Sequence, residues 1–268
     1  MTELIARISK GSKMDQIYLP KNRTGFSSGE YVLIMPLDKK IEEKTKRFKP
    51  YFYNLKSIEP IKFRIIEETF NLIDKNISAE NIILTGSFLE PGFKFNDLDI
   101  LIINEKKYNT ETLRNQIENL IGIKTHILFL NNKTLLSGLS SDPLYSLMLS
   151  KCISKERLIF KTKREINYKL LDLNLLKSKT LPDNYEMLNG NEKYYLTLNM
   201  VSILLFKQGK KLSKEKVNGE IKRLFEVSIK DIKENLLDKQ KFIKKYKEIY
   251  NNTFNLIMKH IGKKNESK

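Results

Sequence analysis

The sequence predicts an α+β protein in three parts: a small N-terminal β-hairpin unit, a central α/β core and a C-terminal helical domain. Short strand patterns punctuated by Gly, Ser and Pro fill residues 1–37. Helix and strand periodicities alternate over residues 51–180, and residues 181–268 show helical spacing alone. A chain of 268 residues with 40% hydrophobic residues can build two domains and a smaller unit, which excludes a wholly disordered protein.

The N-terminal unit, residues 1–37, contains three short segments of strand composition separated by turns. The expected strands lie at residues 5–9, 17–19 and 31–35. A unit of this size buries little apolar surface, so we expect it to pack on another domain or on a second copy of itself. Residues 38–50 are charged and rich in Lys, and we expect them to form a linker.

The central part, residues 51–180, begins with apolar residues at helical spacing as far as Asn76. Three apolar runs of strand length follow, at residues 81–85, 97–103 and 124–130. A helix is expected at residues 110–120 with Thr110 as its N-cap, and Asp142-Pro143 can open a further helix. The order helix, strand, strand, helix, strand predicts a small α/β domain.

Residues 181–268 are expected to be helical throughout. Gly209 ends the first long helix, and Ser213 begins the next one. An apolar stripe from Phe242 to Ile257 predicts a long final helix. This region forms the third domain of the predicted organisation.

The composition excludes several classes of protein. The single cysteine, Cys152, has no partner for an internal disulfide, and no Cys and His cluster offers a zinc site. The N-terminus lacks the apolar segment of a signal peptide, and no apolar run is long enough to span a bilayer. We therefore expect a cytoplasmic protein without a membrane partner. The motifs of P-loop NTPases, dinucleotide oxidoreductases, zincin proteases and α/β-hydrolases are also absent.

The charge of the chain favours a polyanionic partner. The sequence has 49 Lys and Arg against 32 Asp and Glu, a formal net charge of +17. Much of this excess lies between Lys207 and Lys268, with 18 basic against 8 acidic residues. Nucleic acid is the most common polyanion for such a protein, and a solvated Lys-rich surface is the ordinary alternative.

The strongest chemical motif connects two of the predicted strands. Gly86-Ser87 follows an apolar strand, and Asp97 and Asp99 open the next one. Since strand side chains alternate, both carboxylates point to one face and repel each other unless a cation lies between them. Mg²⁺ prefers such oxygen ligands and keeps substrate phosphates in its coordination shell. Gly86 permits close backbone approach, and Ser87 offers a hydroxyl and backbone N–H groups to phosphate oxygens.

This linked set of residues resembles the signature of the DNA polymerase β-like nucleotidyltransferase superfamily, over about residues 61–179. The resemblance implies a nucleotidyltransferase core with a mixed sheet at residues 51–180, followed by a helical domain. It implies that Asp97 and Asp99 hold two Mg²⁺ ions, and that Gly86 and Ser87 bind the β- and γ-phosphates of an NTP, such as ATP.

The chain departs from that family where a third carboxylate is expected. The best candidate strand, residues 124–130, has no acid, and His126 lies where one is expected. His126 is a candidate general base or metal ligand, with a hydrogen-bonded structural histidine as the alternative. Glu105 and Asp142 are other acids within reach by sequence, although Asp142 is placed to cap a helix.

The N-terminal segment resembles the swapped-hairpin domain of AbrB-like transcription factors. The matching features are the Lys10-Gly11 turn, the segment Ile17-Tyr18-Leu19-Pro20-Lys21, and Gly29-Glu30-Tyr31-Val32. The resemblance implies a homodimer formed by hairpin exchange, and DNA binding by four basic residues: Arg7, Lys10, Lys13 and Arg23. A hairpin that serves only for dimerisation or as a lid is the alternative.

Two functions are therefore expected from the sequence. The first is an Mg²⁺-dependent nucleotidyltransferase that moves NMP from an NTP to a macromolecular acceptor. RNA, especially tRNA, is the first choice of acceptor, and protein is the second, as in the nucleotidyltransferases of toxin–antitoxin pairs. The alternative is a regulatory, nucleic-acid-binding dimer in which an AbrB-like unit binds DNA and the nucleotidyltransferase domain is degenerate.

Overall fold

The computed structural model describes residues 6, 8–19, 25, 27, 29, 31–32, 34, 48–106, 108–159 and 162–265. The chain divides into two compact units, Met1–Lys46 and Arg47–Lys268. In the first unit, β1 (Ile8–Ser9) pairs with β2 (Gln16–Ile17) in an antiparallel hairpin. At the third predicted strand of this unit, the structure describes residues 31, 32 and 34, and none of these lies in a strand.

The second unit contains a five-stranded mixed sheet with the strand order β3-β7-β4-β5-β6. The strands are β3 (Tyr51–Tyr53), β4 (Asn81–Thr85), β5 (Asp97–Ile103), β6 (Lys124–Leu130) and β7 (Cys152–Ser154). Among these strands β5 and β6 pair in parallel, and the other neighbours pair antiparallel. The predicted α+β class with a mixed sheet is confirmed.

Helices cover both faces of the sheet and continue into a helical C-terminal part. They are α1 (Pro60–Asn76), α2 (Thr110–Ile121), α3 (Asn132–Ser141), α4 (Pro143–Met148), α5 (Tyr168–Ser178), α6 (Thr180–Asp183), α7 (Gly190–Lys207), α8 (Lys214–Phe225), α9 (Ile229–Lys233) and α10 (Lys239–Asn265). In the part of the chain that is described, no helix combines the length and the apolar character that crossing a membrane requires.

The alternation of side chains along β4 and β5 fills two separate cores. Even-numbered residues such as Leu84 and Ile100 pack with α1 and α2. Odd-numbered residues such as Ile83 and Leu101 pack with α3 and with the end of α4. Because the period is two, Asp97 and Asp99 belong to the second face, at the end of β5 where that core stops.

The C-terminal core surrounds α7, which is buried over most of its length. Helix α7 begins at Gly190 behind an Asn189–Glu192 capping box, earlier than its apolar stripe indicates. The predicted stop at Gly209 is confirmed by a φ of 79°. The predicted start at Ser213 is confirmed as well, because its side chain accepts a hydrogen bond from the Lys216 N–H.

Some local predictions differ from the structure. The N-cap of α2 is Asn109 rather than Thr110, and its side chain accepts the N–H groups of Glu111 and Thr112. Strands β3 and β7 have three residues each, too few for an alternating pattern to be visible. Helix α3 was not predicted because its sequence, NKTLLSGLSS, is rich in Ser, Thr and Gly, which have low helix propensity.

Candidate functional site

Three side chains converge at the exposed end of the parallel strand pair. Asp99 on β5 lies between Thr85 on β4 and His126 on β6 in the sheet register. The His126 Nδ1 atom lies 3.4 Å from Asp99 Oδ1 and 3.6 Å from Asp97 Oδ2. One ligand atom from each of Asp97, Asp99 and His126 lies within 4.8 Å of the others. The structure thus brings together three of the residues singled out in the sequence.

Gly86 closes the other side of the Asp99 carboxylate. It has φ 88° and ψ −162°, a conformation available essentially to glycine alone. A Cβ atom at this position would lie 2.2 Å from Asp99 Oδ2. The contact between the Gly86 backbone and the Asp99 carboxylate therefore leaves no space for a side chain at position 86. Ser87 follows directly and opens a single 3₁₀ turn, Ser87–Leu89.

The electrostatics of this cluster favour a bound cation. Burial raises the pKa of Asp99 above its usual value, and the negative charge of Asp97 raises it further. His126 acts in the opposite direction on the same pKa. A divalent cation between the two carboxylates would offset their repulsion and favour the ionised form of Asp99.

The three side chains open into a cavity of about 520 Å³. Gly86 and Ser87 line it together with Asp97, Asp99 and His126. Its other wall is more apolar, and comes from α4 and α7: Leu144, Leu147, Met148, Tyr195 and Leu198. The ring of Tyr195 is mostly exposed there, so a planar apolar group could stack on it. The cavity thus offers a cation site at one end and an apolar wall beside it.

An acidic side chain holds two lysines at the rim of this cavity. The Glu90 carboxylate accepts hydrogen bonds from Lys151 Nζ at 2.8 Å and from Lys214 Nζ at 2.9 Å. Burial raises the pKa of Glu90, but the hydrogen bonds and charges of the two lysines outweigh it and lower that pKa below its usual value. The cluster joins the β4–β5 connection to the first turn of α8.

A buried lysine on α1 fixes the connection between β4 and β5. The side chain of Lys62 on α1 is fully buried and donates to the backbone oxygen of Glu90 at 2.6 Å. It also pairs with Glu59, whose carboxylate accepts the N–H of Gly92. These contacts fix the backbone that carries Glu90 toward the two lysines.

A second cavity, of about 950 Å³, adjoins the first and shares Glu90, Ser150, Lys151 and Lys214 with it. Its further charged lining is mostly basic: Arg164, Lys211, Lys216 and Lys233, against Glu215. Arg164 is held in place by the backbone oxygens of Phe206 and Lys210. This cavity could not be predicted from the sequence, because its lysines come from segments that are distant along the chain.

The alternative acids do not join the cluster. Asp142 caps α4 by accepting the Leu144 N–H at 2.9 Å, as its position before Pro143 predicts. Neither Asp142 nor Glu105 lines the cavity that contains Asp97 and Asp99. Among the residues that the structure describes, His126 is the third metal-ligating group beside the two carboxylates.

The four basic residues named in the N-terminal unit are only partly described. Lys10 and Lys13 are exposed between β1 and β2. Arg7 and Arg23 lie outside the described residues, so the predicted DNA-binding set stays a prediction.

Comparison with known proteins adds little to this geometry. The chain matches no protein-family model and no curated protein sequence. Among solved structures it is similar to the spectinomycin adenyltransferase AAD(9) from Enterococcus faecialis, determined with ATP and spectinomycin. The identity is 16% and the TM-score 0.39, over 73% of this chain and 99% of that chain. The function proposed below therefore depends on the chain's own residues.

Proposed function

We propose that the protein is a nucleotidyltransferase that moves NMP from an NTP to a macromolecular acceptor. The observation that carries this proposal is the cluster in which Gly86 packs against Asp99 and lines one cavity with Asp97 and His126. Such a site can hold a metal–triphosphate complex, because hard carboxylate ligands lie beside the Gly86-Ser87 backbone.

The roles of the residues follow from their positions. Asp97 and Asp99 would hold the two Mg²⁺ ions that the resemblance implies. When bound, these ions supply activation of the acceptor hydroxyl and stabilise the charge that develops as pyrophosphate leaves the α-phosphate. Gly86 and Ser87 would hold the β- and γ-phosphates through backbone N–H groups and the hydroxyl. His126 lies where it can act as the third ligand or as the base.

We favour RNA, especially tRNA, as the acceptor, with protein as the second choice. The support for an anionic acceptor is the basic lining of the larger cavity, which adjoins the carboxylate cluster through Lys151 and Lys214. A phosphate backbone gains from such a lining, whereas a cationic small molecule is repelled by it. The net charge of +17 agrees with this preference.

The test is a transfer assay with each α-³²P-labelled NTP, Mg²⁺, total RNA and cell extract. Wild-type protein should label RNA or protein, and the isosteric double variant Asp97→Asn/Asp99→Asn should label neither. Glu105→Gln is the matched control, since it neutralises an exposed acid that does not line the cavity. A folded wild-type sample that transfers label from no NTP would contradict the proposal.

DNA binding by the N-terminal unit is a second candidate function. The observation that favours it is the β1–β2 hairpin, which presents Lys10 and Lys13 at an exposed turn. On this hypothesis the protein is a dimer, and Lys10→Ala/Lys13→Ala weakens DNA binding whereas Asp97→Asn does not. A monomeric mass by light scattering would contradict the swapped-hairpin dimer.

A further inference from the structure

The chemistry of the three donor atoms differs from that of an all-carboxylate magnesium site. Asp97 and Asp99 offer oxygen, but the third atom is the imidazole Nδ1 of His126. Mg²⁺ binds oxygen almost exclusively and dehydrates reluctantly. Imidazole nitrogen instead suits first-row transition ions, whose affinity for mixed nitrogen and oxygen sites exceeds that of the alkaline-earth ions. The nitrogen donor therefore favours a transition-metal ion over Mg²⁺ at this site.

The distances allow all three atoms to bind one ion. Ligand atoms at about 2.1 Å from an ion lie about 3.0–3.5 Å apart when they occupy neighbouring positions. The His126 Nδ1 atom is 3.4 Å and 3.6 Å from the two carboxylate oxygens, close to that spacing. All three ligand atoms lie within 4.8 Å of one another, so the side chains rotate inward to close on one ion.

The cluster of Asp97, Asp99 and His126 is open to the cavity, and neighbouring backbone holds its ligand side chains in place. The side chains of Asp97, Asp99 and His126 are 30%, 39% and 54% exposed, so an ion can enter from the cavity. The Asp99 carboxylate presents Oδ1 to His126, while its Oδ2 lies against Gly86, where a Cβ would approach to 2.2 Å. His126 is placed by strand pairing rather than by a loop, since it lies directly opposite Asp99 in the parallel register.

We propose that Asp97, Asp99 and His126 together ligate one transition-metal dication, and that His126 makes this site select Mn²⁺ over Mg²⁺. The inference deepens the proposed function and rests on it for its biological role, since the ion lies at the same site. In this site the His126 nitrogen takes the place of the third carboxylate that the family resemblance leads us to expect on β6. This ion would take the place of one of the two Mg²⁺ ions of the proposed reaction.

The test is binding of Mn²⁺ to the nucleotide-free protein, followed by electron paramagnetic resonance and by competition with Mg²⁺. Pulsed spectra of the wild type should show coupling between Mn²⁺ and a directly bound nitrogen. His126→Asn keeps the charge of the site but exchanges nitrogen for oxygen, so the coupling should vanish. The ratio of the Mg²⁺ to the Mn²⁺ dissociation constant should fall at least about tenfold in that variant.

His260→Asn is the matched control, because it removes the other histidine of the chain. It should leave both the nitrogen coupling and the Mg²⁺-to-Mn²⁺ ratio unchanged. Circular dichroism of the metal-free variants checks that they fold, and the nitrogen coupling of the wild type requires no variant at all. Wild-type Mn²⁺ spectra without nitrogen coupling, or a ratio unchanged by His126→Asn, would overturn the inference.

The outcome separates this inference from the proposed function. Transfer activity without nitrogen coupling would overturn the Mn²⁺ inference and leave the nucleotidyltransferase in place. Nitrogen coupling without transfer from any NTP would support the metal site and count against the proposed function.

Discussion

At the scale of single residues, the site depends on two close contacts. A larger side chain would break one of them, and a differently charged side chain would break the other. Gly86 accepts a backbone conformation that other residues avoid, and it does so directly against Asp99. Glu90 places one carboxylate between two lysines at the rim of the same cavity. Each of these residues can be altered without touching the hydrophobic cores, so their effects can be measured separately.

Gly86→Ala should destabilise the protein and abolish metal binding. The substitution forces an alanine into a glycine-only conformation, at a cost of about 1–3 kcal/mol, and pushes Asp99 away from the ion. Urea denaturation and Mn²⁺ titration measure the two effects. Gly92→Ala is the control: its φ is 79°, but nothing lies within 4 Å of the added Cβ. It should lose stability and keep metal affinity; equal metal binding in both variants would contradict the interpretation.

Glu90→Gln should remove a pH-dependent contribution to stability. The folded-state pKa of Glu90 lies below the ordinary value of 4.5 for a glutamate, so its ion pairs stabilise the fold above that pH. This contribution is lost as the pH falls through the lower folded-state pKa. The wild type should therefore be more stable than Glu90→Gln at pH 7, and the difference should shrink below about pH 4. Thermal melts of both proteins at pH 7 and pH 3 check this; a constant difference would contradict it.

At the scale of elements, α7 organises the C-terminal part because several helices pack on it. Its N-terminal end meets α9 at Gly190, where an added Cβ would lie 2.0 Å from the backbone oxygen of Lys233. Its middle supports α10, since the fully buried Tyr246 donates a hydrogen bond to the backbone oxygen of Leu196 at 3.3 Å. The first turn of α8 then carries Lys214 to the rim of the site. Packing on α7 is thus what brings the helical part into reach of the carboxylate cluster.

Gly190→Ala should separate α9 from α7 and lower the free energy of unfolding by about 1–3 kcal/mol, as expected for overpacking against backbone. Gly219→Ala in α8 is the control, because nothing lies within 4 Å of its added Cβ. Alanine has the higher helix propensity, so that variant should gain about 0.5–1 kcal/mol. Chemical denaturation measures both; a Gly190→Ala protein as stable as the wild type would contradict the close contact.

At the scale of the whole molecule, local charge around the larger cavity should matter more than the net charge of +17. Lys211 and Lys216 line that cavity, whereas Lys244 and Lys247 are exposed on α10 and do not. The two pairs carry the same total charge. They therefore allow the effect of position to be measured at constant net charge.

Lys211→Ala/Lys216→Ala should weaken RNA binding more than Lys244→Ala/Lys247→Ala. Each lost phosphate contact should reduce the slope of log affinity against log salt concentration by about 1. Filter binding at several salt concentrations measures both slopes. Equal losses in the two variants would show that net charge alone drives binding.

The local features of this protein can be predicted from its sequence alone. Alternation along β5 placed Asp97 and Asp99 on one face, and Gly209, Ser213 and Asp142 marked helix ends correctly. These features depend on residues only a few positions apart, whose geometry the backbone determines.

The tertiary structure decided what meets the two carboxylates. His126 faces Asp99 because β5 and β6 pair in a parallel register, which no local pattern specifies. Lys214 reaches Glu90 across 124 positions of sequence, through the packing of α8 on α7. Such contacts arise when distant apolar faces are buried together, so the composition of a segment gives no sign of them. The sequence thus determined the carboxylate pair and offered His126 as a candidate beside it, and the fold brought His126 against the pair and added the basic surroundings.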